Sequence, residues 1–421
     1  MNKKRIINWL QNLMLIGLTI SAVFLITKFS VVEDVFGGRM QALLSGPTNN
    51  TSVAGDIGGA IAAVHIAVTD EIEYGRYAVT NVPVSGELFR SLVPLLREAI
   101  GSAAAGERVG DGVFRAALQT PGIYVDMKTV LPVGCVASWL DEEYEGEGSV
   151  RAIALTTDEE TATLFLLDGE NQIVRCGTAL TSVAVRELTA GFAPNGGQLG
   201  FESGYDTLQP YTVLAQDAEE IPDVRAAIPG GYSAYNLLTA LDFNAHTNSR
   251  YTESSGVEVV VQTPRTLRIG KDGTVNYNAS GEVTSELYQV SGGDAQPSLE
   301  DALKSACAIA TALTVGTDAS DLTLESMERT NSGWVVTFGY HVNGVTVHLG
   351  DERSALRVVI DGNAVTAFEY YCRAYTVLEQ GAKLLPSAMA VAIASLQSEA
   401  ELSLGYVDSG AEVLSVCWLA E

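Results

Sequence analysis

The run IINWLQNLMLIGLTISAVFLIT, from Ile6 to Thr27, carries no formal charge. As a helix rising 1.5 Å per residue it would span roughly 30 Å, the thickness of a bilayer's hydrocarbon core. It constrains the chain more than any other feature, because it sets the compartment of everything after it. A cleaved signal has a shorter apolar core that ends in small residues of the A-x-A kind. This run instead ends Phe24-Leu25-Ile26-Thr27-Lys28-Phe29. It reads as a retained transmembrane helix over 6–27, with a cleaved signal as the alternative. Lys3, Lys4 and Arg5 precede it and Glu33 and Asp34 follow. The positive-inside rule therefore puts residues 1–5 in the cytoplasm and the body outside the cell membrane.

All 51 acidic residues lie beyond this run, whereas Lys3, Lys4, Arg5 and Lys28, four of the 25 basic ones, flank it. The body is thus more acidic than the chain's net −26. Such a surface repels nucleic acid and anionic lipid, so neither is expected as a partner; solubility is its plainest role. Cys135, Cys176, Cys307, Cys372 and Cys417 are odd in number, far apart and form no C-x-x-C. Their apolar neighbours point to buried free thiols and away from a disulfide scaffold.

Past a linker over 28–58, the patterns predict an α+β body in two extracytoplasmic parts, antiparallel sheets with packed helices over 59–232 and over 233–421. In the first, Val64, Ile66 and Val68 alternate with His65 and Ala67 as in a strand, which predicts an exposed or half-buried His65. "SGELFRSLVPLLREAIGSA" predicts a helix with Leu88, Leu92, Leu95, Leu96 and Ala99 on one stripe, Ser85 at its N-cap and Pro94 inside. "TATLFLLDGENQIVRC" reads as a hairpin turning at Asp168-Gly169, and "LTSVAVRELTAGF" as a closing helix. Pro229-Gly230-Gly231 punctuates the boundary. In the second part, hairpins are predicted at Asp272-Gly273, at Asn343-Gly344 and at Asp361-Gly362. "SLEDALKSACAIATAL" is a helix with a capping-box-like Ser298 and Asp301. A shortened helix-then-strands order recurs in "PSAMAVAIASLQ" and "LSLGYVDSGAEVLSVCW".

No catalytic constellation emerges. His65, His246, His341 and His348 are the chain's four histidines, and none sits in an H-E-x-x-H or a Cys/His cluster at zinc spacing. Ideal pairing about Asn343-Gly344 places Thr346, not His348, opposite His341. G-x-S-x-G, S-x-x-K, P-loop and G-x-G-x-x-G patterns are missing. The acidic run 140–148 reads as a solvated loop rather than a pair of glycosidase carboxylates. The chain is therefore expected to be no enzyme and to need no cofactor or metal. Inside the span, Gly17 and Ser21 form a small-xxx-small pair that would let another membrane helix approach closely. The bland alternative is a chance pair in an ordinary anchor.

The segment LLTALDFNAHTNSRYTESSGVEVVVQTPRTLRIGKDGTVNYN, with the later WVVTFGYHVNGVTV and the closing LSLGY and VCW, resembles the YycH/YycI family over roughly residues 235–421. PepSY-like helix-plus-meander domains share much of this pattern. The resemblance implies a non-enzymatic, membrane-anchored accessory protein that adjusts the sensor histidine kinase of a cell-wall-controlling two-component system, WalK/WalR (YycG/YycF). It would act through transmembrane-helix and ectodomain contacts, with Gly17 and Ser21 as the natural helix interface, and could pair with a paralogous regulator. The alternative is an anchored PepSY-like binding module that holds a protease or a cell-wall ligand. The strong acidity departs from the family.

Overall fold

The computed structural model describes residues 61, 63–70, 75–140, 142, 144, 148–158, 160–204, 208–215, 221–290, 297–350, 353–381, 384–385, 387–394, 396 and 402–420. The span over 6–27, its flank Lys3, Lys4 and Arg5, the pair Gly17 and Ser21, the linker and most of the 140–148 run lie outside these residues. No described helix is long and apolar enough to cross a membrane.

The first half is built on seven strands: β1 (Ala63–Thr69), β2 (Arg76–Pro83), β3 (Glu107–Val109), β4 (Gly122–Pro132), β5 (Ser149–Thr157), β6 (Thr161–Leu167) and β7 (Ile173–Thr181). They pair antiparallel in the order β2-β1-β4-β5-β6-β7-β3. Their apolar, β-branched runs suit a sheet buried on both faces. Helices α1 (Glu87–Gly101), α3 (Val133–Trp139) and α4 (Ser182–Thr189) pack on one face, over Ile66, Val125, Ile153 and Leu164. The short α2 (Asp111–Ala117) and the two-stranded ribbon of β8 (Gln198–Leu199) and β9 (Val213–Leu214) cover the other. There Phe114 packs with Tyr124, Phe165 and Tyr211.

Two local expectations shift. Helix α1 starts after Gly86, not Ser85, and has no side-chain cap. Its buried stripe is Phe89, Leu92, Leu96, Ala99 and Ile100, with Leu88 and Leu95 only half-buried. The turn toward Phe89 follows from its ring, which stacks on Trp139 at 5.4 Å and 10°. A contact with a helix 50 residues away thus outweighs the leucine pattern.

After β10 (Pro222–Ala227) the chain enters α5 (Ala234–Ala240), capped by Ser233. The expected boundary at 232 falls in the loop between them. The second half contributes β11 (Arg250–Thr252), β12 (Glu258–Gln262), β13 (Arg265–Ile269), β14 (Thr274–Ala279), α6 (Leu299–Thr317), β15 (Leu322–Arg329), β16 (Gly333–Val342), β17 (Val345–Leu349), β18 (Leu356–Asp361), β19 (Ala364–Tyr371), β20 (Ala374–Gly381), α7 (Ser387–Ala394), β21 (Leu402–Asp408), β22 (Val413–Leu414) and β23 (Val416–Ala420). Its sheet runs β11-β12-β13-β14-β19-β18-β16-β17-β21-β23, with β15 also on β16. All its pairs are antiparallel except β17 with β21. The architecture is mixed α+β with mostly antiparallel sheets, and seven α-helices lie among the described residues.

Here the sequence patterns translate directly. Ser298 accepts the Asp301 N–H at 3.1 Å and donates its hydroxyl to that side chain at 2.6 Å. Helix α6 buries Ala302, Leu303, Ala306, Ile309, Ala310 and Leu313 against the sheet. It also lies close to α5, because a Cβ on Gly316 would come within 2.5 Å of that of Ala240. At the core Tyr277 is sandwiched between Tyr288 (4.5 Å) and Phe368 (5.1 Å). The Arg265 guanidinium sits 4.6 Å from the Phe243 ring and 5.3 Å from that of Tyr288.

Several ties join the halves. A small sheet pairs β10 with β20 and β22, and a continuous apolar core runs under both large sheets, within one compact unit from Ala54 to Glu421. The Asn343-Gly344 turn packs against β1 and β2. Both residues adopt positive φ, 51° and 82°, as a type I′ turn demands. A Cβ on Gly344 would stand 2.4 Å from the Asn81 carbonyl oxygen, so the glycine serves the turn and the contact together. Nearby, Lys128 at φ 64° donates to the Thr346 hydroxyl at 3.3 Å. Thr129 donates to the Glu325 carbonyl at 3.1 Å.

Candidate functional site

Two features stand out, both near the seam between the sheets: a cavity and an apolar helix face. The cavity, about 450 Å³, opens where edge strand β2 meets β21, β23 and α7. Its making begins with a bulge. The pairing of β1 with β2 shifts register between Val64 and Ile66, so His65 faces an extra residue on β2, with Asn81 at φ 55°. Bulges re-aim side chains in this way, and Asn tolerates the left-handed conformation better than most residues. Next to it Asn195 covers the edge of β2, accepting the Ala78 N–H at 2.9 Å and donating to its carbonyl at 2.8 Å. Trp418 forms part of the far wall, held by its indole N–H on the Leu385 carbonyl at 2.9 Å.

His65 is only 4% exposed, which corrects the expectation of an exposed or half-buried ring. Both faces of β1 are covered, so alternation along the strand exposes neither set of residues. Burial, and secondly the charge of Lys128, push its pKa down to about 3; Asp126, its partner on β4, acts the other way. The Asn81 carboxamide lies beside the imidazole and also favours protonation. Even so, neither Nε2 of His65 nor Oδ1 of Asn81 has a hydrogen-bond partner in good geometry, and both atoms are buried. No Asp, Glu, Lys or Arg is among the described residues lining the cavity.

The other histidines are accounted for locally. His341 pairs with Thr346 across the turn, as expected. Its Nδ1 shares a hydrogen bond with the Thr323 hydroxyl and its Nε2 another with Thr346 at 3.0 Å. Burial and Lys128 hold its pKa down near 3 as well. The His348 ring lies against Gly405, where a Cβ would come within 2.7 Å of it. His246 is exposed, with its ring 6.1 Å from that of Tyr235. Among the described residues no three His, Cys, Asp or Glu side chains stand close enough to share a metal ion. The cysteines are free thiols; Cys417 is half-buried and the other four are buried. Burial pushes Cys135 up to about 12, far from a reactive thiolate.

Helix α7 is the second feature. Its inner side, Ala390, Val391 and Ala394, packs with Leu208 and Leu402, and Val391 reaches the cavity wall. Its outer side carries Met389 (57% exposed) and Ile393 (58%) one turn apart, between Leu385 (51%) and Leu396 (85%). Charged residues would ordinarily occupy such a surface face, and contiguous exposed apolar side chains mark contact surfaces.

Sequence reasoning found the hairpin that borders the cavity but not Asn81, Asn195 or Trp418. Nothing local marks them; they come together from three segments far apart in the chain. Compared with known proteins, the chain matches no family model, no curated protein and no solved structure.

Proposed function

We propose that this chain is a non-enzymatic, membrane-anchored accessory protein that acts by contact. Its single span over 6–27 holds two extracytoplasmic parts at the cell surface, the second of them YycH/YycI-like or PepSY-like in its helix-and-strand order. The partner is a sensor histidine kinase of a cell-wall-controlling two-component system. It is engaged outside the membrane by α7 and within it by the Gly17 and Ser21 face.

The observation that carries this reading is the stripe Leu385, Met389, Ile393 and Leu396 on an otherwise acidic body. An acidic surface disfavours docking on anionic lipid, so the stripe favours a protein. The charge-free run and the resemblance over 235–421 support the choice of partner. The test is crosslinking and recovery from native membranes with the full-length chain, Gly17→Ile, and Met389→Ser with Ile393→Ser. A kinase recovered with the wild type and reduced by each variant is the expected result. Recovery of a protease or wall component, equally with all forms, would replace this reading with an anchored binding module.

A further inference from the structure

We propose that the contact between the two sheets at the Asn343-Gly344 turn is an acid-operated joint, which His65 and His341 open together when the pH falls. The joint is separate from the outer face of α7 and does not depend on the kinase reading.

A single cation serves both rings. Lys128 leaves β4 within a register shift, at φ 64°, and its ammonium crosses the seam to donate to the Thr346 hydroxyl at 3.3 Å. That hydroxyl also meets Nε2 of His341 at 3.0 Å, so ammonium and imidazole share one oxygen. Thr323 takes the other ring nitrogen. Charged groups face the rings from several strands. Around His65 they are Asp126 and Lys128 on β4 and Arg151 on β5, with the neutral Asn81 on β2. The Asp126 carboxylate already accepts both Arg151 contacts at 3.3 Å and the Lys128 N–H at 2.8 Å, so its charge is answered before the imidazole gains one. Around His341 they are Lys128, His348 on β17 and Glu325 on β15, whose carboxylate lies against Gly339 of β16.

In the closed seam both imidazoles are neutral, because burial first and Lys128 second hold each pKa down to about 3. A ring released to solvent titrates near 6.5. The open form therefore binds more protons, and opening grows as the pH falls below about 6.5. At pH 5.5 each imidazole favours opening about tenfold over neutral pH, and the two together about a hundredfold. A charged His341 sets a second cation against the Lys128 ammonium at Thr346, and a charged His65 adds a third beside Lys128. What gives way is the patch where Gly344 rests on the Asn81 carbonyl, Lys128 bonds Thr346 and Thr129 bonds the Glu325 carbonyl. Elsewhere the halves stay tied by the sheet of β10, β20 and β22 and by the shared apolar core. The turn thus lifts from β1 and β2 while both large sheets keep their own pairing.

The test uses the full-length chain in lipid nanodiscs and diethyl pyrocarbonate, which acylates neutral imidazoles that solvent can reach. Labelling of each histidine is read by mass spectrometry between neutral pH and pH 5.5, with the exposed His246 as internal standard. Circular dichroism at each pH reports whether the sheets stay folded. Relative to His246, labelling of His65 and His341 is expected to rise by up to about a hundredfold over this range while the dichroism holds. In His341→Gln the rise at His65 should shrink to at most about tenfold, and in His65→Gln that at His341 likewise, since each ring then opens the joint alone. Gly344→Ala, whose Cβ would meet the Asn81 carbonyl oxygen, should label His65 faster than wild type already at neutral pH. A flat wild-type ratio, a rise that comes only as the dichroism is lost, a His65 rise unchanged by His341→Gln, or no faster labelling in Gly344→Ala would overturn the proposal and leave the seam a fixed contact.

Discussion

The two large sheets were written in different styles, and the difference decides how readable each is. In β1 all seven residues are buried, and β6 is buried everywhere but at its first residue. In the second sheet β13 reads buried, half-buried, buried, exposed, buried, and β17 and β18 alternate in the same manner. A strand covered on one face announces its register through alternation, whereas one covered on both reads as a continuous apolar run. The misplacement of His65 belongs to the first style. The correct pairing of His341 with Thr346 belongs to the second.

The sharpest way to break this comparison is to weigh the hidden face of the first sheet. If α2 and the β8–β9 ribbon make a true second core, Phe114→Ala should lose about 3–5 kcal/mol in urea unfolding of the full-length chain. Tyr277→Ala in the aromatic sandwich of the second sheet should lose as much. A loss below about 1 kcal/mol at Phe114 would return the first sheet to the one-faced kind.

Acid offers the next largest effect. His65 and His341 titrate near 6.5 when unfolded and near 3 when folded. Between those values the unfolded chain binds more protons, so stability falls as pH drops below about 6.5 and goes on falling to about pH 3. At pH 4.5 each imidazole should cost roughly 2–3 kcal/mol relative to neutral pH. His65→Gln and His341→Gln should each flatten the pH dependence of the urea midpoint over that window. If neither does, the two rings are not held neutral at the seam.

Smaller still is the cap of α6. Ser298→Ala removes the hydroxyl that accepts the Asp301 N–H and should cost about 1 kcal/mol, read from the same urea curves. Ser85→Ala, one residue outside the first turn of α1, should change stability by less than about 0.5 kcal/mol. Equal losses would mean that the first half uses its caps as the second half does. On the surface, Met389→Ser with Ile393→Ser should also stay within about 0.5–1 kcal/mol, because both side chains lie more than half exposed.

Much of the fold was legible residue by residue. Asn343-Gly344 and Asp272-Gly273 gave their hairpins because glycine at positive φ makes those turns cheap. The 299–317 helix was visible in its spacing and its serine cap. Helices α2 and α3 were not, since each has only seven residues and no side-chain cap to mark its start. The candidate site was legible only in one border, the Asn343-Gly344 turn.

The charge-free stretch at 6–27, the acidic body, the paired turns and the cap at Ser298 follow from the sequence alone, because each depends on neighbours within a few positions. That Gly344 meets the Asn81 carbonyl, that the Phe89 ring turns α1 toward Trp139, and that His65 faces a cavity with no charged residue in its described wall were decided only by tertiary structure. The physical reason is distance along the chain. Local preferences set which way a residue can point, but what stands opposite depends on how two sheets, each with its own core face, come to share one interior.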